Sequence, residues 1–195
     1  MSELNSIALK IISSGKGILA TDESTGTMTK RLENVNVVST AESRLKFRET
    51  LFTSESMKSC IGGVILYDET IKQSIGSKPI SELISNSGAV PGIKVDTGVK
   101  ILSSSKEEKI TEGLDGLRER LKEYFKLGAR FAKWRGVYSI SESYPSKVAI
   151  STNAHALARY ASLVQETGMV PIVEPEVLMD GAHNSKTCLE KTSEV

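Results

Sequence analysis

Phe131-Ala-Lys-Trp-Arg-Gly-Val137 is the stretch on which the fold turns. It is an apolar run with two cations set into it, Lys133 and Arg135, two residues apart. Side chains on a strand alternate faces with period two, so both cations point the same way. Three more runs carry the same signature, a polar pair at the same spacing: Gly17-Ile-Leu-Ala-Thr21 followed by Asp22 and Ser24, Val90-Pro-Gly-Ile-Lys-Val-Asp96 with Lys94 and Asp96, and Val170-Pro-Ile-Val-Glu-Pro-Glu176 with Glu174 and Glu176. A fifth run, Gly62-Gly-Val-Ile-Leu66, has no pair.

Between these runs lie segments of helical length. Ser39-Thr-Ala-Glu42 is a capping-box candidate for a helix through about Phe52, with either hydroxyl as the cap. Helical stretches follow around Ile71 and over residues 80–84, the second after Pro79. Beyond the polar loop 103–109, Leu114, Leu117, Leu121, Tyr124 and Phe125 fall on one helical face, and Gly128 stands where a helix ends. A long helix with Ala154, Leu157, Ala161 and Val164 as its stripe ends at Gly168.

Strands alternating with helices predict an α/β chain with a parallel sheet, and right-handed crossovers restrict it to a doubly wound sheet or a barrel. An open doubly wound sheet gathers its site at one switch point, whereas charged pairs here recur on runs one, three, four and five. There is no GxGxxG and no P-loop. The expectation is a (βα)8 TIM barrel. A full one needs ~250 residues, so residues 1–195 are expected to form a single, incomplete domain supplying about the first five units. The pairs then collect at the carboxyl ends of the strands, where such barrels place their chemistry.

The composition is that of a globular protein: 39% hydrophobic and 25% charged residues, with Lys+Arg 25 against Asp+Glu 24. A net charge of +1 without a basic run gives no footprint for nucleic acid. No stretch approaches the length of a membrane span and the amino terminus lacks a leader pattern, so the expected address is the cytoplasm. Cys60 and Cys188 are far apart, and with only His155 and His183 beside them they support neither a disulfide framework nor a zinc site. No cofactor is expected.

The paired charges specify a chemistry. Lysine and arginine suit anionic oxygens and carboxylates suit proton transfer, so the substrate is expected to be anionic and oxygen-rich. A lysine inside a barrel is costly to desolvate unless paired or used, which favours a functional Lys133. Glu174 and Glu176 are its natural counter-charges. For Lys94 and Asp96 a structural ion pair and a catalytic role stand equally.

Four stretches, Gly15-Lys-Gly-Ile-Leu-Ala-Thr-Asp-Glu-Ser-Thr-Gly26, Gly92-Ile-Lys-Val-Asp96, Phe131-Ala-Lys-Trp-Arg135 and Val170-Pro-Ile-Val-Glu-Pro-Glu176, closely resemble class I fructose-bisphosphate aldolase, the metal-independent Schiff-base type. The resemblance runs over essentially the whole chain. It implies reversible cleavage of fructose 1,6-bisphosphate to dihydroxyacetone phosphate and glyceraldehyde 3-phosphate in glycolysis, by a homotetramer when complete. It implies Asp22 as the acid/base at the C4 hydroxyl, and Glu174 as the acid/base of carbinolamine formation and dehydration. Lys133 is implied as the cation that stabilises oxyanions, with Glu176 as the carboxylate that orients the lysine cluster. Lys94 and Arg135 are implied as substrate contacts, Ser24 and Arg31 as sugar-phosphate ligands, and Arg44 as a further one. Thr97 and Thr27 depart from the common lysine and serine of the family. The family's Schiff-base lysine sits on a sixth strand, so the expectation is that it lies beyond Val195 and that the 195 residues alone lack the covalent step.

Two other readings remain. One is a barrel lyase or isomerase that holds Mg²⁺ on Asp96, Glu174 and Glu176, against which the interleaved lysines argue. The other is a non-catalytic module that holds a phosphorylated sugar or a partner protein through Lys94, Lys133 and Arg135. His155 and His183 fall at no strand end and are expected to be structural or solvated.

Overall fold

A computed structural model describes residues 2–13, 15–103 and 105–195. Five parallel strands, β1 (Gly17–Thr21), β2 (Ile61–Leu66), β3 (Val90–Lys94), β4 (Phe131–Tyr138) and β5 (Val170–Val177), pair in chain order. That order decides the architecture. A doubly wound sheet reverses direction after its first strands and so places β1 inside. Here every crossover steps the same way, as a barrel wall requires, and all five strands of the sheet are the five runs read from the sequence.

Alternation then separates two cores. Outward residues such as Leu66, Ile93 and Trp134 pack against the helices together with Ile84, Leu121, Tyr160 and Val164. Inward residues form a smaller cluster of Ile65, Val90 and Phe131, with Val170 and Ile172 against it. Ile7 and Ile11 of the helix Glu3–Ile11 join this inner cluster and close it from below. Phe131 fills the space that two glycines leave: a Cβ on Gly92 would stand 2.3 Å from the Phe131 ring, and one on Gly63 3.2 Å. On the same inward parity, one or two steps further along, come Lys94, Lys133, Arg135, Glu174 and Glu176. The apolar layer is thus the floor under the charged one.

The helices follow their local signals with corrections. Thr40 caps the helix Ala41–Phe52, in a capping box completed by Ser43. Pro79 stands just before the helix Ile80–Asn86, at its cap and not in its first turn. Leu114 precedes the helix Leu117–Lys126, and Gly128 follows it at φ 105°. The long helix Lys147–Glu166 is rotated from the expected stripe: it buries Ala149, Asn153, Ala156, Leu157, Tyr160 and Val164, while Ala154 is exposed. The polar loop 103–109, whose Ser104 lies outside the described residues, turns out to join the two arms of an antiparallel hairpin, Gly98–Ile101 with Lys109–Glu112. Asn153 pins it by accepting from Thr111 N and donating to Lys109 O, and Thr111 Oγ1 donates to Arg135 O. The last helix, Ser185–Glu194, buries no residue. Among the described residues no helix is long and apolar enough to cross a membrane.

Candidate active site

A cleft of about 790 Å³ opens over the carboxyl ends of the strands, lined among others by Asp22, Ser24, Arg31, Lys94, Asp96, Lys133 and Arg135. Its centre is Lys133 on β4. The ammonium lies 3.0 Å from Asp22 Oδ2 and 3.1 Å from Glu174 Oε2, so a cation on one strand is gripped by carboxylates from the ends of two others. Burial opposes its charge, but Asp22 and Glu174 outweigh that penalty and hold its pKa above the ordinary 10.5. Lys133 is therefore an ammonium at neutral pH, suited to holding an oxyanion and unsuited to act as an amine nucleophile.

The flanking pairs repeat the arrangement. Arg135 Nη1 lies 2.9 Å from Glu176 Oε2. Lys94 Nζ donates to Asp96 Oδ1 and to the Asp96 carbonyl, and Asp96 Oδ1 also accepts from Gly98 N, so the start of the hairpin holds the pair. All three carboxylates of the Mg²⁺ reading are thereby matched to a cation. Among the described residues no group of three or more His, Cys, Asp or Glu is placed to hold a metal.

Several sequence expectations need adjusting. β1 ends at Thr21 and β3 at Lys94, so Asp22, Ser24 and Asp96 lie on the turns that leave the strands, not on the strands themselves. Ser24 caps the helix Thr25–Glu33, accepting from Thr27 N, and its hydroxyl borders the cleft in that role. Arg31 stands at the rim, 57% exposed and paired with Glu23. Glu176 reaches Arg135 and not the lysine cluster. Glu174 and Glu176 are not among the residues lining the cleft; Glu174 enters through Lys133. Arg44 does not line it either: its guanidinium makes a two-point contact with Glu69 and donates to Ser39, a structural position. His155 and His183 lie outside it.

The sequence reading missed two groups. One is the far wall, where Tyr124 donates to Asp68 (2.8 Å) and Lys72 bridges Asp68 and Glu123. Burial first and that hydrogen bond second push the Tyr124 phenol up to about 12. The helical spacing of Tyr124 had marked it as core and gave no sign of its polar tip. The other is Glu23 with Arg48, a wholly buried guanidinium behind the turn after β1.

The family model of class-I fructose-bisphosphate aldolase matches residues 3–195. The chain belongs to the class-I fructose-bisphosphate aldolase family. Fructose-bisphosphate aldolase C of Carassius auratus is 52% identical over 99% of the chain and 54% of its own length, and the cytosolic fructose-bisphosphate aldolase 5 of Arabidopsis thaliana is 50% identical over the same shares. A solved structure of fructose-bisphosphate aldolase from Plasmodium falciparum, in complex with TRAP and a small-molecule inhibitor, superposes with a TM-score of 0.95 at 46% identity, covering 98% of this chain and 56% of that one. The chain spans 54–58% of the length of these curated relatives and others of the family. The aldolase barrel wall, in its first five βα units, is the fold described above.

Proposed function

We propose that this chain carries half of the active site of a fructose-bisphosphate aldolase, a lyase that reversibly cleaves fructose 1,6-bisphosphate to dihydroxyacetone phosphate and glyceraldehyde 3-phosphate through a lysine Schiff base. The observation that carries the reading is the Asp22–Lys133–Glu174 cluster, a cation held between two carboxylates over an apolar floor. Retro-aldol cleavage needs a base at the C4 hydroxyl, and Asp22 is the carboxylate for it. Formation of the iminium needs a proton for the departing hydroxyl, supplied by Glu174. Oxygen atoms that gain negative charge meet the Lys133 ammonium. Glu176 orients Arg135, and Arg135 and Lys94 hold the sugar phosphate's oxygens; Ser24 and Arg31 take a phosphate at the rim.

Because the carboxylate grip keeps Lys133 protonated and Lys94 is held by Asp96, neither serves as the Schiff-base amine. In the family that lysine sits on a sixth strand, and we take it to lie outside these 195 residues. In its complete form the protein is a metal-independent cytoplasmic homotetramer of glycolysis, a reading in keeping with the cytosolic relative. The test is release of glyceraldehyde 3-phosphate from fructose 1,6-bisphosphate by the full-length protein. Binding of the sugar bisphosphate without cleavage would replace this reading with the non-catalytic one.

A further inference from the structure

We propose that Arg48 is a positioning residue of this active site, a buried guanidinium that fixes the turn Asp22–Ser24 so that Asp22 stays on Lys133. The inference rests on the reading of Asp22 given above. Arg48 lies on the helix Ala41–Phe52 and its side chain is 0% exposed. Nη2 donates to the backbone carbonyl of Glu23 (2.8 Å) and lies 3.7 Å from the Glu23 carboxylate, while Nη1 lies 4.0 Å from Glu69. Glu69 is itself gripped by Arg44, and Glu23 is paired on its outer side with Arg31.

A line of alternating charge thus runs from the helix through Glu23 into the cleft. The Glu23 carbonyl is its fixed point: it belongs to the peptide between Glu23 and Ser24, one residue past Asp22 and just before the Ser24 cap. Burial holds the guanidinium pKa below its usual value, with Glu23, Glu69 and Asp22 acting against that loss.

The arrangement is a poor one for stability. Nε and Nη1 make no hydrogen bond among the described residues, and neither does Glu23 Oε2. A buried guanidinium with one good hydrogen bond recovers little of its desolvation cost, although removing it alone would leave the Glu23 carbonyl and carboxylate without it. What the guanidinium provides is placement: a bond from a rigid helix to the peptide that follows Asp22 and Glu23 in the turn. A displacement of ~1 Å at a reacting group costs on the order of 10²-fold in rate.

The experiment is a mutant cycle in the full-length protein, read by fructose 1,6-bisphosphate cleavage. Arg48→Met should lower kcat on the order of 10-fold or more and change KM by less than it changes kcat, because Lys94 and Arg135 lie on other strands and only Ser24 shares the turn with Asp22. In an Asp22→Asn background, at enzyme concentrations that resolve residual turnover, the same substitution should cost nothing further. Phe52→Leu, a core change on the same helix, serves as control: it should lower thermal stability with kcat retained. If Arg48→Met does not fold, Arg48→Lys, which keeps the buried charge with one donor group, is read through the same cycle. An Arg48 variant within twofold of wild type, or a loss that multiplies with that of Asp22→Asn, overturns the proposal. Full activity in Asp22→Asn alone overturns the reading of Asp22 as well, which separates the two failures.

Discussion

Lys133→Met removes the ammonium while nearly preserving the side chain's length and its packing against the strand. Two carboxylates are then left facing each other across an apolar tip. At an effective dielectric near 20, each contact near 3 Å is worth roughly 5 kcal/mol gross, most of which lysine desolvation consumes. Breaking a buried pair from one side costs about 3–5 kcal/mol. Glu174 is 35% exposed and water can take over its partnership, whereas Asp22 at 12% cannot be relieved so easily. Discounting the exposed arm, the expected loss is about 2–4 kcal/mol, or roughly a 1 M fall in the urea midpoint for a slope of about 2–3 kcal/mol/M. The sign with pH follows from the raised Lys133 pKa. The ammonium's stabilisation is fully present below 10.5, its ordinary value, and is lost as pH climbs through the higher folded value. The gap between wild type and Lys133→Met should therefore be flat through neutrality and narrow above about pH 10. Adding Asp22→Asn to Lys133→Met should recover part of the loss, since one buried charge then disappears. In the full-length protein kcat should fall on the order of 10²- to 10³-fold, the cost of losing a charged transition-state contact. Urea titration by circular dichroism and steady-state kinetics measure both. A Lys133→Met protein as stable and as fast as its parent would refute the reasoning.

Glu174→Gln should leave the fold intact and cut turnover on a similar scale of 10²- to 10³-fold; near wild-type kinetics would remove Glu174 from the mechanism. Gly92→Ala should destabilise by about 1–3 kcal/mol or more by driving a methyl into the Phe131 ring, and Phe131→Leu should recover part of it; an unchanged melting temperature would show that the ring is free to move. Tyr124, protonated in the fold up to about pH 12, contributes stability that is complete below pH 10 and lost between 10 and about 12; Tyr124→Phe should flatten that alkaline loss in a pH series of thermal melts, and an equally steep loss would clear Tyr124 of it. Among the described residues β1 and β5 have one unpaired edge each, with Ile18 and Val173 exposed, so the 195-residue polypeptide should bind ANS and self-associate; a monomer with a sharp thermal transition and no dye binding would contradict this.

Four of the five strands were legible because a polar pair spaced by two ends the run, the fifth, β2, by its apolar run alone, and the same parity carries Asp22 and Asp96 inward even though both lie past a strand end. What the sequence hid had no local signal. The buried stripe of the helix Ala41–Phe52 is Arg44, Arg48 and Phe52, which hydrophobic periodicity cannot find because two of its three members are cations. That is why Arg48 went unnoticed, while Arg44 was named only through the family resemblance and not as part of a buried stripe. The hairpin at 98–112 has arms of only four residues each, and it is held by Asn153 and the β4 backbone, partners far away in the chain. The long helix's stripe was misjudged because the alanine at 154 looks as apolar as those at 149 and 156, and the Asn153 and Tyr160 hydrogen bonds that fix the rotation reach partners far away in the chain.

Lys133 is either an oxyanion-holding ammonium or the amine nucleophile, and one measurement separates the two. Dihydroxyacetone phosphate and borohydride added to the full-length protein, followed by peptide mass spectrometry, should give one reduced, substrate-sized adduct on a lysine outside residues 1–195, with Lys94 and Lys133 unmodified. An adduct on Lys133 would show that it is the amine nucleophile after all, and would contradict an ammonium held by Asp22 and Glu174 to stabilise oxyanions.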